Sequence, residues 1–214
     1  FFGYLVHQGV IAGDPTATVA VRPTDRRHAA ALTREEAQRL LQAARMSPFA
    51  ARDYAMLRLF LSCGCTLSEL LSLKLSDVDL EEQAITVTGR RGNPRTLSLT
   101  PVCVGALQEY LECRPKAPAA RALFLNRRGK PMTKGAVYYA LRQALRRAGI
   151  QRPGITVHSL RRTCLTLLWE AGVPLRTLQH IAGHASLATT KGYTVPHDRS
   201  APSKPRKVQH PLDG

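Results

Sequence analysis

The sequence has no run of about 18 apolar residues, so it offers no transmembrane helix. Its first residues, Phe-Phe-Gly-Tyr-Leu-Val-His-Gln-Gly, lack a basic flank, a long apolar stretch and a small-residue cleavage site, so no signal peptide is expected. Cysteine is sparse. Cys63, Cys65, Cys103, Cys113 and Cys164 are odd in number and contain no C-x-x-C pair. A disulfide framework and a zinc site are therefore not expected, and a reducing cytoplasm suits such thiols. No internal repeat is present, which excludes a solenoid. Acidic residues become scarce in the last part of the chain, and that scarcity says the most about function.

The 214 residues carry 31 Lys and Arg against 15 Asp and Glu, a formal net charge of +16. Residues 1–120 are nearly balanced, with 14 basic and 12 acidic groups. Residues 121–214 hold 17 basic and only 3 acidic groups. A basic field of this size draws polyanions, and nucleic acid is the first candidate because neutralised phosphates release counterions. An anionic membrane fits less well, since the basic residues do not line one long amphipathic helix.

The length suits one sizeable core with a small appendage. Phe1–Ile11 reads as the end of an amphipathic helix, and residues 14–31 as a linker. Thr33-Arg-Glu-Glu36 is a capping box that opens a helix. Further helices are predicted over about Arg52–Ser62, Leu67–Leu73 and Pro101–Glu112. Two alternating segments, Ala84–Thr88 and Arg95–Leu99, flank the turn Gly89–Pro94 and predict a β-hairpin with a basic tip. Helices follow over Thr133–Ala148, Ser159–Ala171, Leu175–Ala182 and Leu187–Gly192, with Gly149 and Gly172 as stops and Pro174 as a first helical position. Pro196–Gly214 reads as an extended or disordered basic tail rich in proline. The fold class is mainly α with a small antiparallel β-sheet (α+β).

The sharpest local signal is His158-Ser-Leu-Arg161-Arg-Thr163. His158 and Arg161 lie at i and i+3, so they share a face at a helix start, where free amides already favour phosphate. A guanidinium adds a bidentate grip on phosphate oxygens, and an imidazole adds a donor or a proton shuttle. Ala182-Gly183-His184 follows downstream, and then Tyr193 in Thr189-Thr-Lys-Gly-Tyr193-Thr.

H-x-x-R, then G-H, then a tyrosine at this spacing resembles the tyrosine recombinase (phage integrase, Xer-like) family. Ser68-Glu69-Leu70 with Leu73 and Ser76-Asp77-Val78-Asp79, the hairpin Gly89–Leu99 and the opening Leu32-Thr33-x-Glu35-Glu36 resemble further segments of its catalytic domain, in the same order. The resemblance implies three parts. Residues 1–31 are the end of a truncated core-binding domain plus linker, 32–195 the catalytic domain and 196–214 the tail. It implies a site-specific recombinase that acts on duplex DNA in a prokaryotic cytoplasm or nucleoid, as a homo-oligomer on the DNA. No metal, cofactor, membrane or small-molecule substrate is implied. The family's C-terminal segment docks into a neighbouring protomer, and Ala201-Pro-Ser-Lys-Pro205 suits that poorly as a helix.

By position, Tyr193 is the implied nucleophile. Arg161 and His184 contact the scissile phosphate, His158 is a base or phosphate ligand, and Glu69 is a supporting carboxylate. Arg91, Arg95, Arg162, Lys134 and Lys191 are candidate DNA contacts. Two positions depart from the pattern. Thr66 stands where the family carries an arginine, and a hydroxyl replaces neither its charge nor its fork. Arg90 stands where the family carries a lysine that protonates the leaving oxygen, and arginine yields a proton badly. Impaired activity follows as an expectation. A non-catalytic DNA-binding relative, a decayed copy or a regulator, is the alternative. A helix-turn-helix transcription factor would explain the basic helices but not the spacing of Arg161, His184 and Tyr193.

Overall fold

The computed structural model describes residues 1–18, 31–89, 92–117, 120–191 and 210–213. Arg90, Arg91, Tyr193 and most of the predicted tail lie outside the described residues. Nine α-helices and one small sheet follow in order among the described residues. They are α1 (Phe2–His7), α2 (Arg34–Arg45), α3 (Ala50–Cys63), α4 (Leu67–Ser72), β1 (Val78–Asp79), β2 (Ala84–Thr88), β3 (Pro94–Ser98), α5 (Pro101–Cys113), α6 (Lys134–Arg147), α7 (Val157–Glu170), α8 (Leu175–Ala182) and α9 (Leu187–Lys191). A 3-10 turn, Leu75–Asp77, precedes β1.

Local chemistry sets most of these starts. The Thr33 hydroxyl accepts from the Glu36 amide while the Glu36 carboxylate accepts from the Thr33 amide, so the predicted capping box opens α2. Thr100 and Thr133 cap α5 and α6 through their hydroxyls alone, which accept from the Cys103 and Ala136 amides. Helix α3 is apolar nearly all round and lies at the centre, packed against α2, α5 and α7. It ends at Gly64, whose φ of +60° is left-handed; a Cβ there would stand 3.3 Å from Cys164 Sγ. Helices α7 and α8 share a smaller core of Cys164, Leu165, Leu168, Val173, Leu178 and Ala182.

The sheet has three antiparallel strands in the order β1-β2-β3. The hairpin was legible from its alternation. The short strand β1, paired as Val78↔Ile85 and Asp79↔Ala84, is an addition, too brief for a period to register. In the hairpin Ile85 faces Leu97 and Val87 faces Arg95. Directly opposed residues share a face. Ile85, Val87 and Leu97 are buried, so Arg95 emerges on the inner side of the sheet.

Several boundaries moved. Helix α1 stops at His7 instead of reaching Ile11, and α7 begins at Val157 because Ser159 Oγ accepts from the Thr156 amide one position before it. Pro174 is the N-cap of α8 and not its first residue. The largest correction is at the end of the tail. Leu212 is buried in the main core, its carbonyl accepts from Arg58 at 3.0 Å, and Asp213 pairs with Arg58 at 3.1 Å. A buried aspartate and leucine give this stretch the anchoring that its proline-rich neighbours suggested it would lack.

Candidate phosphodiester site

A cleft of about 1290 Å³ opens between the start of α4, the hairpin, the start of α6, the start of α7 and the end of α8. Its walls include Thr66, Glu69, Arg95, Lys134, His158, Arg161 and His184. Seven of the sequence-derived candidates thus lie together, while Arg90, Arg91 and Tyr193 are outside the described residues. Arg162 is not on its walls, and α9 ends at Lys191, of whose side chain nothing is described.

Arg161 is the buried centre, 4% exposed. One Nη donates to the Gly64 carbonyl at 2.7 Å. The other donates to the Ala182 carbonyl and reaches His184 Nε2 at 3.0 Å. Gly64 ends α3 and Ala182 ends α8, so one guanidinium ties together two helix C-termini, where a cation is electrostatically welcome.

His184 follows Gly183, the left-handed cap of α8. An arginine can only donate, so Nε2 is the accepting nitrogen in its contact with Arg161. The hydrogen of neutral His184 then sits on Nδ1, which lies 3.0 Å from the Oγ1 of the fully buried Thr190 on α9. Burial, then the charges of Arg161 and Arg95, push His184 down to about 4. His158 is held below the usual imidazole value by burial first, then by Arg161 and Arg162.

A pH dependence follows with a definite sign. In the unfolded chain His184 takes a proton near its ordinary 6.5, whereas in the fold it resists until about 4. Its neutral form therefore contributes stability that is complete above pH 6.5 and is lost as pH falls toward 4. The expected result is a melting temperature that declines over this window, with a smaller decline in His184→Asn. Nitrogen-15 correlation of DNA-free protein should show His184 as the Nδ1–H tautomer, with no titration near neutrality. A cationic His184 at pH 6 would contradict the geometry.

Thr66 caps α4. Its Oγ1 accepts from the Glu69 amide, and its own amide donates to Glu69 Oε2 at 2.7 Å. Glu69 also takes both Nη groups of Arg95, at 2.6 and 3.2 Å. Burial alone would push the Glu69 carboxyl up; the bonds from Arg95 and from the Thr66 amide outweigh it and leave the group below the usual carboxylate value. Arg95 Nε donates to the Ile181 carbonyl at 3.0 Å.

Some of the cleft escaped sequence reading. Arg176, Gln179 and His180 of α8 line it. Gln179 Nε2 donates to the His184 carbonyl at 3.0 Å, holding the turn, and Arg176 and His180 are exposed at i and i+4. That spacing was the available signal. Tyr138 also lines the cleft, and Tyr138 and Tyr139 are both exposed, so neither is a core residue. Among the described residues no group of three or more His, Cys, Asp or Glu is placed to hold a metal, and no helix is long and apolar enough to cross a membrane.

The model of the phage integrase family matches residues 30–199. Tyrosine recombinase XerC of Caldanaerobacter subterraneus subsp. tengcongensis is 37% identical over 198 residues, 91% of this chain and 55% of that protein. Tyrosine recombinase XerD of Listeria innocua is 33% identical over 200 residues, 91% of this chain and 67% of that protein. The chain thus spans little more than half the length of the XerC relative. Among solved structures, XerA recombinase superposes with a TM-score of 0.72 at 36% identity, covering 79% of this chain and 61% of that one. XerH site-specific recombinase, bound to its difH substrate before cleavage, gives a TM-score of 0.70 at 28% identity, covering 77% of this chain and 50% of that one. With the family model covering most of its length and relatives above 30% identity along nearly all of it, the chain belongs to the phage integrase family of tyrosine recombinases.

Proposed function

We propose that this chain is the catalytic domain of a site-specific DNA recombinase, spanning residues 32–195, whose activity is reduced by Thr66 and Arg90. One observation carries the reading. Arg161, His184 and His158 converge on the wall of a single cleft, with Thr66 beside them at the position where the family carries an arginine.

In this reading the cleft holds one phosphodiester of duplex DNA. Tyr193 follows the end of α9 closely, and its hydroxyl attacks phosphorus. The bond to the 5′-oxygen breaks, that oxygen takes up a proton, and the 3′-phosphate is joined to tyrosine. The bond energy is conserved, so the reverse attack by a 5′-hydroxyl rejoins the strand without a nucleotide cofactor. A tyrosine of pKa about 10 is a weak nucleophile near neutrality, and His158 on the cleft wall is assigned as the base. Its depressed basicity keeps it neutral and able to accept a proton. Arg161 supports the charge that gathers on the non-bridging oxygens. Lys134 at the start of α6, with Arg91, Arg162 and Lys191, contacts flanking phosphates. The assembly on DNA is a homo-oligomer, and the setting is a prokaryotic cytoplasm or nucleoid.

A second reading, a DNA-binding relative without catalysis, draws on Thr66. Its hydroxyl and amide are committed to capping α4, and Glu69 is committed to Arg95, so neither offers a cation to the phosphate.

Nicked suicide duplexes decide between the two. The expected result is a covalent adduct mapped to Tyr193 and absent from Tyr193→Phe, with salt-sensitive duplex binding in both proteins. Salt-sensitive binding without adduct supports the second reading. An adduct on another residue, or no binding at low salt, overturns both.

A further inference from the structure

Arg95 is in an unusual place for a DNA contact. Strand parity puts it on the side of Leu97 and Leu99, facing inward, and its side chain is only 9% exposed. An inward charge is costly unless its partners are well placed. Here they are. The carboxylate of Glu69 takes both Nη groups, and the Ile181 carbonyl takes Nε. Arg95 thus spans from α4 to the last turn of α8.

That last turn leads directly into His184. Gly183 meets the same guanidinium. A Cβ on it would lie 2.8 Å from one Arg95 Nη and 2.9 Å from Cζ, closer than real Cβ contacts come. Its φ of +63° also disfavours any side chain. Arg161 grips the next carbonyl, Ala182. The two arginines therefore hold consecutive carbonyls of one turn, and the orientation of His184 follows from where that turn sits.

We propose that Arg95 is a positioning residue of the phosphate site, carrying the hold of Glu69 across the cleft to the turn that presents His184, and that Gly183 is glycine to admit its guanidinium. This rests on the reading of the cleft as a phosphodiester site, but its structural part is testable without cleavage. Glu69 then acts through Arg95 instead of on the phosphate. The Thr66 amide, bonded to Glu69, joins the same brace, so the start of α4 is fixed in place although it lacks an arginine of its own.

The test compares wild type with Arg95→Lys and Gly183→Ala. Lysine keeps the charge but loses the fork. Three readouts are taken: duplex affinity against salt, the nitrogen-15 tautomer and titration of His184 without DNA, and adduct yield on nicked duplexes. Both variants are expected to keep the wild-type salt dependence. In both, His184 should depart from the pure Nδ1–H tautomer, and adduct formation should fall about 10²-fold, the scale of a roughly 1 Å misplacement. Arg95→Lys decides, because Gly183→Ala also strains a left-handed φ; if Arg95→Lys does not fold, Glu69→Gln, which takes one oxygen from the same fork, is read in its place. An unchanged His184 signal in folded variants overturns the proposal. A wild type without adduct would defeat the catalytic reading, while the His184 signal would still decide the brace.

Discussion

Arg161→Lys is expected to lower the rate of adduct formation by about 10²–10³-fold, the loss seen when one transition-state donor is removed. The reason lies in the fork. Arg161 serves the carbonyls of Gly64 and Ala182 and the Nε2 of His184 from one buried plane. A lysine ammonium is a point charge on a flexible stem and cannot meet those partners while also facing a phosphate. Buried carbonyls then lose their donor, so stability should fall by roughly 1–3 kcal/mol. Urea unfolding measures that part, and single-turnover adduct formation at saturating DNA measures the other. His184 gives a third readout. With its donor moved, the imidazole should depart from the pure Nδ1–H tautomer. A variant of wild-type rate and unchanged His184 tautomer would place the phosphate elsewhere.

The core of this site could be read from the chain because its parts are set by short-range rules. His158 and Arg161 share a face through helical spacing alone, and the capping box at Thr33 is a local pattern. Arg95 was harder. Its alternation with Leu97 and Leu99 already put it on the inner face, but a basic hairpin invites a DNA contact, and the partners that make an inward arginine tolerable lie 26 and 86 positions away. The end of the tail was misread for a similar reason. Composition describes what a segment lacks, whereas the pairing of Asp213 with Arg58 joins positions 155 residues apart, and no local pattern carries it. Thr190 is a plain threonine in the sequence, and only the fold brings its hydroxyl to His184. The family assignment needed none of these distant pairs, since order and spacing of motifs sufficed.

Thr66→Arg is expected to raise adduct formation by about 10²–10³-fold, the converse of losing one transition-state donor. Thr66 lies on the cleft wall with Arg161 and His184, so a guanidinium introduced there faces the same space. Its charge would act on the phosphorane more than on the bound diester, so the gain belongs in rate and not in affinity. The substitution has a cost. Thr66 Oγ1 caps α4 through the Glu69 amide, and losing such a cap destabilises by about 1 kcal/mol. The bond from the Thr66 backbone amide to Glu69 survives the change, which limits the damage to the helix start. Glu69 could also draw the new guanidinium away from the phosphate, but both of its oxygens are already held by Arg95. Arg90→Lys should add to the gain by supplying a proton donor for the leaving oxygen. Because both changes act on one reacting group, their effects need not add. The measurement is adduct yield against time for wild type, each single variant and the double variant. Active wild type with an inactive but folded Thr66→Arg would mean that another cation already serves this oxygen. No adduct in any of the four, with duplex binding intact, would assign the chain to its DNA-binding role alone.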